Sequence, residues 1–335
     1  MKHTRDHVAK LAGVSSATVS RAFNNPELVS KEKIKKIKSS AKRINYVPDL
    51  NASMLRRSSS GIILFLEQPS RGALQDRYYK WFYADIIQGI KSVIESSMMF
   101  QLTLMSVSRA VEVRDLVRKG GCDGIICFCI DDPTILGAVK REGIPFVSCH
   151  HKPISGGFNS VYVDEISGGR IAGEELRRTG HVKPVHITGE LEAVPACQER
   201  LNGFKSAFPG THIKLINGSL GIKGGYASAK RIVQNIKRRR IDSIFVVNDL
   251  TAIGVIHALL AHGISIPKDV SVIGYDNLPF IDTLPFPLTT VDILLGEIYS
   301  QAAQMLIQVI KKGGSILKAV KPCLVKGESV KKRRL

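Results

Sequence analysis

Residues 14–25 read VSSATVSRAFNN, a stretch in which small and polar side chains dominate and a single Arg stands alone. Val19, Ala22 and Phe23 recur at helical spacing and can point one way, while Ser16, Ala17, Ser20 and Arg21 face the other. A helix entering the DNA major groove needs so slim an outer surface, because bulky side chains would hold its backbone away from the base edges.

The flanking sequence supplies two more short helices. Thr4 can cap a first one, with Val8, Leu11 and Ala12 on its apolar side and Gly13 as its stop. Ser15 caps the second, which Asn24, Asn25 and Pro26 end. Ser30 caps a third, in which Ile34, Ile37, Ala41 and Ile44 form the apolar stripe and lysines fill the opposite face. Helix, Gly turn and slim second helix make a helix-turn-helix, although a three-helix protein-binding domain would share the pattern.

Charge favours nucleic acid. The 335-residue chain carries 48 Lys and Arg against 29 Asp and Glu, a formal net charge of +19. Of this, +9 falls within the first sixty residues, so the densest field lies over the three helices.

Residues 46–61, YVPDLNASMLRRSSSG, read as a boundary. Pro48 breaks the preceding helix, Asp49 can cap a short one over Leu50 to Arg57, and the serines before Gly61 have linker composition. Beyond it the pattern becomes α/β: IILFL, QLTLM, GIICFCI, IPFVS, PVHIT, SIFVV and VSVIGY alternate with helix-length segments. So many units over the remaining chain predict two doubly wound parallel-sheet subdomains, with a small-molecule site in the cleft between them. The expected organisation is a head over 1–46, a hinge helix and linker over 47–60, and a core over 61–335. Within the core, 61–160 pairs with 292–320, and 161–291 with 321–330.

The six cysteines form no C-x-x-C pair and no histidine stands at zinc-finger spacing, so buried free thiols and no metal site are expected. Cys127 and Cys129, two apart in IICFCI, should share one strand face. The polar N-terminus and the lack of a membrane-length apolar run predict a soluble, unprocessed cytoplasmic protein with no membrane partner. The terminal KKRRL reads as a solvated end.

Together, VAKLAGVSSATVSRAFNN, VSKEKIKKI, INYVPDLNASML, DGIICF, GIPFV, VDEISGGRIAGEEL, ERLNGF, NDLTAIGVIHALLAHGISIPKDVSVIGYDN and PLTTV resemble the lac/galactose repressor family of bacterial transcription regulators. Each motif alone is weak, but their order and spacing cover essentially the whole chain. The resemblance implies a periplasmic-binding-protein-like core and a homodimer, often a tetramer, although no leucine heptad follows CLVKGESV. Two heads would bind a pseudo-palindromic operator in double-stranded DNA, and a small effector, a sugar or related metabolite, would alter that affinity.

Ser16, Ala17 and Arg21 fall on the family's base-reading positions, with Arg21 suited to guanine and Ala17 to a thymine methyl. Thr4, Ser15, Thr18, Ser20 and Asn24 would position the helix, with Ser15 equally explained as a cap. In the hinge, Leu55 stands where the family wedges the minor groove open, beside Ala52 and Arg56. Ser53 and Asp49 depart from the family's usual residues, which Arg56 and Arg57 can offset at the phosphates.

For the effector, the resemblance implies Phe82, Tyr83, His150, Asp164, Arg200, Asn248 and Asp276, with Leu220 in place of a stacking aromatic. EQPSRGALQDRYYKW, before Phe82, replaces a common short turn. A secreted sugar-binding transport protein would share the core but not the head. No G-x-S-x-G, no P-loop and no dinucleotide fingerprint support an enzyme, and no catalytic residues or cofactor are expected.

Overall fold

The computed structural model describes residues 4–24, 26–46, 59–68, 73–97, 100–130, 132–153, 157–192 and 194–333. Ala52, Leu55 and Arg56, with the rest of the expected hinge helix, lie outside the described residues, as does the side chain of Asn24.

The head holds α1 (Arg5–Ala12), α2 (Ser16–Asn24) and α3 (Lys31–Arg43), with a single 3-10 turn at Pro26–Leu28. Its core is Val8, Ala9, Ala12, Val19, Ala22, Ile37 and Ala41, flanked by partly buried Phe23, Ile34 and Ile44. Leu11, expected in that core, faces outward because Ala9 takes its place on the buried side of α1. Gly13 closes α1 in the left-handed region at φ 62°, a conformation that glycine adopts without Cβ strain. Ser15 does cap α2, its Oγ accepting the Thr18 N–H at 3.1 Å. Ser30 stands at the N-cap of α3 but forms no side-chain cap bond; its carbonyl accepts from Ile34 N–H instead.

In the core, two six-stranded sheets follow. The first has strand order β11-β5-β4-β3-β1-β2, and the second β12-β10-β9-β8-β6-β7. The first contains β1 (Ile62–Glu67), β2 (Gln101–Ser106), β3 (Gly124–Phe128), β4 (Phe146–His150), β5 (Asn159–Val163) and β11 (Leu317–Val320). The second contains β6 (Pro184–Thr188), β7 (Lys214–Asn217), β8 (Ser243–Val246), β9 (Ser271–Asp276), β10 (Thr289–Asp292) and β12 (Cys323–Val325). All pairings are parallel except β10 with β12.

Both faces of each sheet are covered, so the central strands read as unbroken apolar runs. Along β1, Ile63 and Phe65 join one core while Leu64 and Leu66 join the opposite one. The first sheet is flanked by α4 (Ala73–Ser97), α5 (Ala110–Gly120), α6 (Pro133–Arg141) and α12 (Leu295–Lys312). The second is flanked by α7 (Glu165–Arg178), α8 (Pro195–Ser206), α9 (Ile222–Lys230), α10 (Val233–Lys237) and α11 (Asp249–Ala261). Much of the unusual segment before Phe82 forms the first turns of α4.

The chain crosses between sheets after β5, after β10 and between β11 and β12. β5 straddles the boundary expected at residue 160 and belongs as a whole to the first sheet.

Cys127 and Cys129 do not share a face. Cys127 packs with Leu64 and Leu66, whereas Cys129, just past the end of β3 with φ 46°, turns to the other core. All six cysteines are free, but Cys122 and Cys129 are only half-buried and Cys323 is exposed, because β12 is an edge strand. The basic tail is also not solvated throughout: the Lys331 N–H donates to Ser271 Oγ and the Arg333 N–H to the Thr179 carbonyl at 2.8 Å. That docking follows from Ser329, whose buried Oγ bridges Val272 and Thr289 and draws the chain along the second sheet. Among the described residues no helix is long and apolar enough to cross a membrane.

Candidate functional site: an exposed helix face and an interdomain cleft

On α2, Ala17 and Arg21 are exposed and one helical turn apart, so they share a face. Ser16 is half-buried and its Oγ donates to the Asp6 carboxylate of α1, leaving its lone pairs as what it can offer a base. Ser15 Oγ and Thr18 Oγ1 lie 2.8 Å apart in the cap. Thr4 begins α1, its N–H donating to His7 Nδ1 at 3.2 Å. Arg21 is therefore the long multidonor side chain on this face. The lysines of α3 are exposed and can supply phosphate contacts.

The cleft is built by glycines. Gly168 and Gly169 open α7, and a Cβ on Gly169 would sit 1.9 Å from the Arg200 carbonyl oxygen, while one on Gly168 would sit 2.1 Å from the Tyr275 hydroxyl. Without those side chains α7 and α8 pack backbone to backbone. That approach delivers Glu165 to Arg200, both buried. Arg200 Nε and Nη2 donate to Glu165 at 2.7 and 2.9 Å, and Nη1 donates to the Val247 carbonyl at 2.7 Å. The Tyr275 hydroxyl donates to the same carboxylate at 2.6 Å, and its ring lies 3.9 Å beneath the guanidinium.

Asp276 ends β9 at φ 107°, a left-handed conformation uncommon for Asp, with Oδ1 3.8 Å from Arg200 Nη2. Burial holds its carboxyl well above the usual range, opposed by Arg200 and reinforced by neighbouring Asp249, Glu165 and Asp292. Asp249 is pushed up to about 7, again chiefly by burial, although it accepts hydrogen bonds from the Leu278 N–H and Thr290 Oγ1.

Other expected effector residues hold structural posts. Asp164 caps α7, accepting from Ser167 N–H and Oγ at 3.0 and 2.6 Å. Asn248 caps α11 through Oδ1, so its amide NH2 is the part that can face a ligand. Leu220 is half-buried over Gly189. Tyr83 packs against Phe65 and Phe128 in the core, whereas Phe82 meets His150 edge-on with ring centroids 6.2 Å apart. Burial pushes the His150 imidazole well below its usual value, with neighbouring His151 and Arg200 adding repulsion.

Phe82 and Asp276 line a cavity of about 420 Å³ with Asn277, Asp292, Leu295 and Glu297. Asp85 also lines it, and no lysine or arginine does. Sequence reasoning missed Glu165, Tyr275 and Asn277. Glu165 stands beside Asp164 ahead of two glycines, but nothing in that spacing reveals that the acid turns inward.

Known proteins match at both levels. A family model described as bacterial regulatory proteins, lacI family, matches residues 5–49, and one described as a periplasmic binding protein-like domain matches residues 174–330. The chain is 30% identical over 314 residues, 91% of each chain, to the HTH-type transcriptional repressor PurR of Vibrio vulnificus strain CMCP6. Among solved structures, the transcriptional regulator CelR in complex with cellobiose superposes with a TM-score of 0.69 at 25% identity, covering 98% of this chain and 99% of that one. A regulator from Enterococcus faecalis V583 with bound ribose gives a TM-score of 0.67 at 26% identity, covering 81% and 100%.

Proposed function

Because the chain belongs to the lacI family of bacterial regulatory proteins, and is on that ground a DNA-binding transcription repressor rather than an enzyme, we propose that its two sites work as operator reader and effector sensor. Two copies place two heads on a pseudo-palindromic operator, with Arg21 of each head on a guanine and Ala17 against a thymine methyl. Ser15, Ser16, Thr18, Ser20 and Asn24 orient α2, with Thr4 at the adjoining helix start. Ala52, Leu55 and Arg56 act in the minor groove at the centre, where Leu55 kinks the DNA. The protein works in the cytoplasm, as a dimer or a pair of dimers.

The effector is a neutral sugar or polyol. The observation that carries this is the charge of the cavity that Phe82 and Asp276 share, which His150, Arg200 and Asn248 do not line. Asp85, Asp276, Asp292 and Glu297 line the cavity, and the nearby Arg200 is bound on one edge by Glu165. A sugar acid or sugar phosphate would meet the Asp85, Asp292 and Glu297 carboxylates there, whereas hydroxyls can donate to them. The cellobiose and ribose in the two similar structures are consistent with that chemistry. Closure on the effector would bring Phe82 and His150 on one side toward Arg200, Asn248 and Asp276 on the other, changing the spacing of the heads.

A thermal-shift screen on the full chain tests this reading. Neutral mono- or disaccharides are expected to raise the melting temperature, and their acid or phosphate derivatives to leave it unchanged. Stabilisation by the anionic members alone would contradict the proposal.

A further inference from the structure

At the carboxyl ends of the adjacent parallel strands β3 and β4, the chain brings together Cys129, just past β3, His150, the last residue of β4, and His151, which follows it. One ligand atom from each, a sulfur and two ring nitrogens, lies within 4.8 Å of the others. Consecutive strand residues ordinarily point to opposite faces. Here His150 takes φ 84° and Cys129 φ 46°, and the two histidine rings come to 4.8 Å between centroids at 71°. Left-handed conformations in two non-glycine residues cost energy, and both re-aim side chains toward the same point.

His150 supplies a second observation. Its side chain is 6% exposed, yet Nδ1 is buried without a hydrogen-bond partner. A buried polar nitrogen left so is costly unless something fills its lone pair.

We propose that Cys129, His150 and His151 bind a borderline divalent transition-metal ion of the zinc type at the edge of the effector cleft. One thiolate and two imidazoles are a donor set that suits zinc rather than magnesium or calcium, which take oxygen. Tetrahedral zinc holds such donors roughly 3.3–3.6 Å apart, so the three atoms need to draw in by about an ångström. Three protein ligands leave the fourth position open. Half-buried Glu199 of α8, in the other subdomain, lies within electrostatic reach of His151. A bound ion would therefore present a Lewis-acidic position to an effector oxygen, or to Glu199 as the cleft closes.

The other thiols are poor competitors. Cys127 and Cys149 are buried in the apolar cores, Cys122 precedes the opposite end of β3, Cys197 is buried on α8, and Cys323 lies on the edge strand β12 of the other sheet.

The inference rests on the cleft described above but is tested without an effector or DNA. The full chain, stripped with a chelator, is titrated with Co²⁺. The expected result is one Co²⁺ per chain, a thiolate-to-cobalt charge-transfer band and the visible bands of tetrahedral cobalt, all displaced by Zn²⁺. Cys129→Ser should abolish the charge-transfer band, His151→Gln should weaken binding about tenfold or more, and Cys323→Ser should change neither. Absence of the band in the unaltered chain, or its survival in Cys129→Ser, overturns the proposal. Its loss in Cys323→Ser overturns it equally. If Cys129→Ser does not fold by circular dichroism, His151→Gln decides: unchanged affinity overturns the site. Operator binding by the stripped chain, measured alongside, reports on the repressor reading alone, so the two failures are distinguishable.

Discussion

Replacing Glu165 by Ala should destabilise the core by about 3–5 kcal/mol, because it leaves the Arg200 guanidinium buried without its carboxylate. The pair is nearly inaccessible, at 3% and 7% exposure. Two of its hydrogen bonds are charge-assisted, and the Tyr275 hydroxyl loses its acceptor in the same step. Asp276 cannot take over at once, since it lies 3.8 Å away and burial already disfavours its charged form. In a core of this size the loss corresponds to a melting temperature lower by on the order of 10 °C. Glu165→Gln should lose less, because the amide oxygen still accepts from Arg200. Thermal or urea unfolding of the full chain measures both, and a change below about 1 kcal/mol for Glu165→Ala would show that solvent or Asp276 readily compensates.

The second large effect concerns the head. Arg21→Ala should lose about 1–3 kcal/mol of discrimination at one base pair in each half-site, the usual value of a bidentate arginine–guanine contact. The reason is what the rest of α2 offers. Ala17 has no polar atom, the Ser16 hydroxyl is donated to Asp6, and Ser15 and Thr18 form the helix cap. Arg21→Lys keeps the charge but not the planar fork, so it should retain affinity for unrelated DNA while losing the preference. Binding measured across single-base-pair variants of a selected operator, at fixed salt, separates the two. An unchanged profile in Arg21→Ala would remove Arg21 from base reading.

How much of this is visible in sequence depends on the range of the interaction. The head is legible because Val8, Ala12, Val19, Ala22, Ile37 and Ala41 recur at helical spacing and close one small core. Leu11 misleads because Ala9, an equally good helix former, takes the buried position. The central strands β1, β3, β8 and β9 declare themselves as apolar runs, since both of their faces are covered. By contrast β7, β11 and β12 are short edge strands, and β5 and β10 are rich in Ser, Thr and Asn, so no run marks them.

The cleft follows the same rule. Arg200 and Asp276 can be picked out by resemblance, but their tie to Glu165 and Tyr275 depends on two helices meeting at Gly169, which no local pattern encodes. Cys129 and the two histidines are 21 and 22 positions apart in the chain. They meet only because β3 and β4 are neighbours in the sheet and because the backbone turns left-handed at both strand ends.

In the proposed function, the slim face of α2 reads DNA in a symmetric pair. Selection of duplexes from a randomised pool by the full chain, followed by sequencing, tests it most directly. The predicted result is a single enriched motif with two inverted half-sites, each carrying an invariant guanine. Recovery of a pool without a shared motif, or of one unpaired half-site, would contradict it.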